Sequence, residues 1–280
     1  MLLLGQRNCS CAAALVWFWA CGCKTGAPAR NAGDMVVVPG GSFDMGSDAP
    51  EANVDERPVH RVTVATFRMD LTEVTVKAYR ACVEAKACNE PDAYLAEKGN
   101  YRMFCNWKHP ERRDLHPINC VDYRQARAFC AWVGKRLPTE EEWEYEARGG
   151  ADGRKYPWGN QEPTERRLNG CGSECSSHLV AHRFPGGRTL FPASDGWPET
   201  SPVGSFPAGA SKHGVLDLAG NVWEWTASPY ASYDGTHAEA KRVLRGGSWG
   251  GWDAQSERAS NRFRLDETSR AQFLGFRCAR

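Results

Sequence analysis

Beyond Gly150 the chain loses the three-to-four-residue apolar rhythm that marks helices. From Ala151 to Arg280 it is broken repeatedly by Gly, Pro, Asn and Asp. Only short runs such as Arg242-Val243-Leu244 and Gly275-Phe276-Arg277 read as strands. Loops therefore dominate this half, and no internal repeat organises it. The chain has 280 residues, 41% hydrophobic and 25% charged, with 11 tryptophans. Those values suit a soluble globular chain with an aromatic-rich core and exclude disorder, collagen and coiled coil. Thirty-five Lys and Arg against 34 Asp and Glu exclude the uniform positive field of a nucleic-acid binder.

The first half is better signalled. Met35-Val36-Val37-Val38, stopped by Pro39-Gly40-Gly41, is a strand and turn, and the alternation Arg61 to Phe67 is a second strand. One helix follows Thr75, with Val76, Tyr79 and Val83 on a stripe. A second opens at Asp122 with Gln125 three residues on, and Ala126, Phe129, Cys130 and Val133 line one face. In the third, Thr139 is the N-cap, Glu142 stands at N3, Glu144 and Arg148 are placed to pair, and Gly149 closes the helix. Three early helices and a loop-rich second half with scattered strands make an α+β single domain over residues 35–280.

Ahead of it, Arg7 precedes the apolar run Ala12 to Ala20, far shorter than the roughly 20 residues that span a bilayer. It matches the apolar region of a signal peptide, residues 1–20. Cys21 after Ala20 fits a bacterial lipoprotein cleavage site, although Phe18 stands where Leu is usual; ordinary secretion is the alternative. Residues 21–34 then form the lipidated end and a small, polar tether. The expected localisation is the bacterial envelope, with membrane contact only through the lipid.

Eight cysteines follow Cys23, an even number that with export suggests disulfides. Spacing alone leaves the connectivity open, although Cys82–Cys88 and Cys171–Cys175 would be local staples. Cys171, Cys175, His178 and His182 invite a metal reading, but two residues between the pairs are too few for a zinc-finger hairpin and helix to converge. A disulfide beside surface histidines fits better. Glu140, Glu141, Glu142 and Glu144 on a helix first turn read as dipole and solvation partners. The tail arginines Arg258, Arg262, Arg264, Arg270 and Arg277 read as ion-pair partners in a chain this evenly charged. Asp217-Leu218-Ala219-Gly220-Asn221-Val222-Trp223-Glu224 places acids around a Gly-Asn turn, an arrangement whose oxygens can meet a hard cation. Asn169 with Asp195-Gly196-Trp197 is a looser second set.

Several segments together resemble the sulfatase-modifying-factor family, whose namesake is the formylglycine-generating enzyme. They run in family order: Met35 to Ser47 with Pro39-Gly40-Gly41, Glu73-Val74-Thr75, Lys135 to Glu144, and Tyr156-Pro157-Trp158-Gly159. Gly220 to Trp225, Arg245-Gly246-Gly247-Ser248 and Gly275-Phe276-Arg277 complete the series. The resemblance covers residues 35–280 and implies a loop-rich variant of the C-type-lectin fold. It implies two calcium sites, one on Asn169, Gly170, Asp195 and Trp197, the other on Asp217, Gly220, Val222 and Glu224. It also implies a long-range disulfide Cys130–Cys278, with Cys82–Cys88, Cys105–Cys120 and Cys171–Cys175 as local additions.

The family's oxidase chemistry, which converts a cysteine in a Cys-x-Pro-x-Arg segment to formylglycine, needs two thiolates five residues apart to hold Cu(I). Here those positions are Gly251 and Ser256, and no cysteine lies between Cys175 and Cys278. Copper is therefore not expected. The leading expectation is a monomeric, calcium-stabilised binding or accessory module with a groove near Arg245, Ser248, Trp249 and Trp252 for a protein, peptide or small-molecule ligand. The two tryptophans either contact that ligand or pack in the core. The alternative is an oxidase, either of the formylglycine-generating type or a divergent one acting on an exported metabolite such as a siderophore precursor. A sulfoxide synthase would need an iron-binding helical domain for which the chain has no room.

Overall fold

The computed structural model describes residues 34–91 and 101–280. The expected leader, Cys21 and all but the last residue of the tether lie outside the described residues. Among those described, no helix is long and apolar enough to cross a membrane.

The chain opens with β1 (Met35–Val38) and β2 (Gly41–Met45), followed by β3 (His60–Val64) and β4 (Phe67–Asp70). β1 pairs antiparallel with β4, Met35 opposite Asp70, and β2 pairs with β3, Gly41 opposite Val64. The alternating run expected as one strand over Arg61 to Phe67 thus serves two ladders. The chain crosses between them at Ala65–Thr66, where Thr66 Oγ1 accepts the Gly40 N–H at 3.0 Å.

Helix α1 (Val76–Glu84) starts where Thr75 Oγ1 accepts the Ala78 N–H. Val76 and Tyr79 are buried as the stripe required, but Cys82 takes the deep position and Val83 only flanks the core. A single turn, α2 (Pro110–Arg113), precedes α3 (Tyr123–Trp132) and α4 (Glu140–Ala147). Both longer helices open on reciprocal capping boxes: Asp122 with Gln125, at 2.8 and 3.0 Å, and Thr139 with Glu142, at 3.2 and 2.9 Å. Val133 falls just past α3 and is exposed rather than part of its buried face.

A fifth helix, α5 (Ser173–Ala181), stands in the half expected to lack helices. Only Cys175 on it is buried, so it carries no apolar stripe for periodicity to detect. The rest of this half supplies one sheet. β5 (Trp223–Ala231) and β6 (Ala238–Arg245) form an irregular hairpin, flanked by β7 (Phe263–Leu265) against β6 and by β8 (Leu274–Gly275) parallel to β5. The segment Gly275 to Arg277 joins the ladder only at Gly275; Phe276 and Arg277 continue as buried irregular chain.

Two apolar clusters hold these parts together. Tyr79, Phe129, Trp225, Leu244 and Phe276 meet between α1, α3 and the sheet. Phe43, Met45, Val64, Met69 and Trp143 meet between the paired N-terminal strands and α4. Among the described residues four disulfides form, Cys82–Cys88, Cys105–Cys120, Cys130–Cys278 and Cys171–Cys175, as the cysteine pattern and the resemblance together implied. Cys130–Cys278 ties α3 to the last residues across 148 positions.

Candidate functional site

Strand β6 ends at Arg245, whose side chain is fully buried rather than turned to the surface. Its guanidinium reaches Glu140 Oε1 at 2.6 Å and Glu144 Oε2 at 2.7 Å, and donates to the carbonyls of Ala259 and Asn261. Arg262 also grips Glu140, donating from Nε to the same Oε1 at 2.6 Å and from Nη2 to Oε2 at 3.0 Å. This corrects two expectations. Arg245 does not belong to a groove, and Glu140 and Glu144 are not solvated helix-end acids. A buried guanidinium needs buried carboxylates, and α4 supplies them. The tail arginines are ion-paired as anticipated: Arg258 with Glu56, Arg264 with Asp55 and Glu239, Arg270 with Asp122, and Arg277 with Glu224.

Past Arg245 the turn through Ser248 delivers Trp249 and Trp252 to opposite fates. Trp249 is 3% exposed, packs edge-on against Phe104 at 5.7 Å, and lies beside the Cys171–Cys175 disulfide. Trp252 is 47% exposed, with the Arg188 guanidinium over its ring at 4.5 Å. Between them opens a cavity of about 570 Å³. Ser248, Trp249, Gly250 and Gly251 border it on one side, and Leu179, Phe184 and Pro185, from α5 and the turn after it, on another. Trp223, Phe263 and Phe273 add aromatic surface, while Asn53, Ser256, Asn261 and Gln272 bring polar groups. No acidic side chain lines this groove among the described residues, and its one arginine, Arg262, is committed to Glu140. The groove is open and mostly apolar, with Trp249 as a packed wall and Trp252 at its rim.

The two positions that would carry thiolates lie on this groove. Ser256 Oγ and its own N–H both donate to Asp253. Gly251 lies against the Glu257 carboxyl so closely that a Cβ there would overlap Oε1. Glu257 is 1% exposed. Burial pushes its carboxyl well above the usual range, the Asp253 charge adds to the shift, and the main-chain amides of Gly220 and Ser248 oppose it. Glu257 was not singled out from the sequence, although it follows Ser256 directly. Nothing about a glutamate in that position announces which glycine it will touch.

The oxygen sets tell two stories. In the first, Asp195 accepts the Gly170 N–H at 2.9 Å and the Trp197 N–H at 2.8 Å, and the Asn169 amide lies beside it at 3.5 Å. Asn169 is 1% exposed, and its Oδ1 has no hydrogen-bond partner. Burial pushes the Asp195 carboxyl up to about 7, and the neighbouring Glu174 carboxylate adds to that. An orphaned amide oxygen next to an uncompensated carboxylate fits a hard cation. In the second set, Gly220 approaches the Asn169 carbonyl so tightly that a side chain would collide, which joins the two sets physically. The Glu224 carboxylate, however, is already held by Arg277 at 2.7 Å on each oxygen and by Trp143 Nε1 at 2.9 Å. Its side chain is thus committed, and a cation there would meet Asp217 and main-chain carbonyls. Glu73 was not anticipated as a site residue, yet it is buried with its carboxyl facing that of Asp217 and no cationic partner on either of its oxygens. Among the described residues no three His, Cys, Asp or Glu side chains converge as a metal centre, so any cation here would need amide or main-chain oxygens beside at most two carboxylates. His178, from the rejected metal reading, pairs instead with Glu199 at 2.9 Å.

Residues 24–280 match the sulfatase-modifying factor enzyme 1-like domain. The chain is 38% identical to the inactive C-alpha-formylglycine-generating enzyme 2 of Bos taurus, over 88% of this chain and 87% of that protein. It is 35% identical to the formylglycine-generating enzyme of Streptomyces coelicolor, over 89% and 90% respectively. The structure of PvdO from Pseudomonas aeruginosa superposes with a TM-score of 0.66 at 29% identity, covering 90% of this chain and 99% of that one.

Proposed function

Because this chain belongs to the sulfatase-modifying-factor (formylglycine-generating enzyme) family while Gly251 and Ser256 occupy the positions of its thiolates, we propose that it is a binding or accessory module without copper-dependent oxidase activity. The observation that carries this reading is the Glu257 carboxyl packed where a side chain at position 251 would have to go. A soft Cu(I) ion selects sulfur, and glycine, a serine hydroxyl and a buried carboxyl supply none. The likeness to a bovine relative named inactive supports the same direction.

In this reading the groove beside Trp249 and Trp252 takes a neutral, largely apolar peptide segment or small molecule. Its aromatic walls offer large rigid contact area, and Asn53, Asn261 and Gln272 offer hydrogen bonds that fix orientation. The arginine of a Cys-x-Pro-x-Arg segment would find no acid in this lining. Asn169, Gly170, Asp195 and Trp197 would hold a calcium ion that stabilises the neighbouring loops, and the module would be displayed from the bacterial envelope by a lipid on Cys21.

The test is turnover of a Cys-x-Pro-x-Arg peptide by the purified chain with Cu(I) and oxygen, read by mass spectrometry beside the Streptomyces coelicolor enzyme. No aldehyde is expected while the control converts. Aldehyde from this chain would overturn the reading. A second reading, a divergent oxidase of an exported metabolite, is favoured by the openness of the cavity, and oxygen consumption on adding candidate metabolites would support it.

A further inference from the structure

We propose that Glu174 is a further side-chain ligand of the cation position at Asn169 and Asp195, and that a cation there clamps α5, one wall of the groove, so that groove affinity depends on calcium. The second half of this rests on the groove reading above; the first does not.

Glu174 lies in the first turn of α5. Its Oε1 accepts the Asp195 N–H at 3.2 Å, while Asp195 Oδ2 accepts the Gly170 N–H at 2.9 Å. Two carboxylates and the unpartnered, buried Asn169 Oδ1 are thereby gathered on one knot of chain. Among the described residues no salt bridge reaches either carboxylate, whereas the buried acids Glu56 and Glu140 each face an arginine. Negative charge collected without a cationic side chain, next to an amide oxygen lacking a donor, calls for a hard cation. Calcium takes six to eight oxygens and tolerates irregular geometry.

The same knot is fastened to the groove. The Cys171 N–H, one residue past Gly170, donates to the Gly251 carbonyl at 3.0 Å. Cys175 Sγ lies 3.7 Å from the Trp249 carbonyl, and Leu179 near the end of α5 and Phe184 just past it line the cavity. α5 buries little of itself, so a ligand bond at its first turn adds a large share of what holds it in place.

Calcium titration of the full chain by calorimetry, with and without Glu174→Gln, tests the ligand. An affinity drop of about tenfold or more is expected, because an anionic oxygen is lost; Asp195→Asn serves as the reference loss. Unchanged affinity in Glu174→Gln, or no calcium binding by the unaltered chain, overturns the assignment. Binding of the apolar fluorophore anilinonaphthalene sulfonate, competed by Trp252→Ala to locate it, tests the coupling. Affinity should rise on adding calcium to the unaltered chain and stay flat in Glu174→Gln. Calcium-independent binding in both overturns the clamp. A fluorophore that ignores Trp252 overturns the groove reading and leaves the calorimetric test of Glu174 intact.

Discussion

The Glu257 carboxyl fills the space that a side chain at Gly251 would need. The glycine is therefore more than the absence of a thiol: its neighbour six residues on has closed the position. Gly251→Cys should destabilise the fold by about 1–3 kcal/mol through overpacking. Gly251→Cys with Ser256→Cys should still fail to bind Cu(I) in a competition titration against a chelator. Adding Glu257→Ala should recover stability relative to the double variant. Copper binding by the double variant with Glu257 in place would show that the carboxyl yields.

Arg245 anchors a second set of expectations. It faces Glu140 and Glu144, with Arg262 also on Glu140, all buried. Arg245→Met would leave two buried carboxylates with only Arg262 and Arg148 to offset them, and a loss of about 3–5 kcal/mol is expected in urea unfolding. Arg245→Lys should rescue little, because an ammonium cannot reach both glutamates and the two carbonyls from one planar fork.

His116 gives a pH signature. Burial lowers its imidazole to about 4, the Arg113 charge adds to that, and a hydrogen bond at Thr200 opposes it. The folded chain therefore keeps His116 neutral while the unfolded chain takes up a proton near 6.5. More protons bound by the unfolded state mean that stability falls as pH drops from about 6.5 towards 4, and levels below that. His116→Asn should flatten this part of the melting-temperature profile. An unchanged slope would place its origin elsewhere.

Cys21 is tested in cells. Cys21→Ala should move the protein from the membrane to the soluble fraction, because an acyl chain would be its only bilayer contact. Unaltered fractionation would remove the anchor from the proposed function.

Much of the local structure was legible because its causes are local. Asp122 with Gln125, and Thr139 with Glu142, cap their helices through bonds spanning three residues, so spacing alone announces them. Cys82–Cys88 and Cys171–Cys175 close short loops for the same reason. The absence of a thiolate pair is also a property of the letters themselves. Tertiary structure decided what depends on burial. Glu140 becomes the partner of Arg245, 105 residues away, and of Arg262, 122 away, only because folding removes water from all three. Trp249 and Trp252 are chemically identical and three residues apart, yet one is packed and the other exposed. Helix α5 and the carboxyls of Glu73, Glu174 and Glu257 carry no periodic or spaced signal. Their roles come from the segments that pack over them, because the cost of desolvating a charge is set by neighbours in space, while a hydrogen-bonded cap is set by neighbours in sequence.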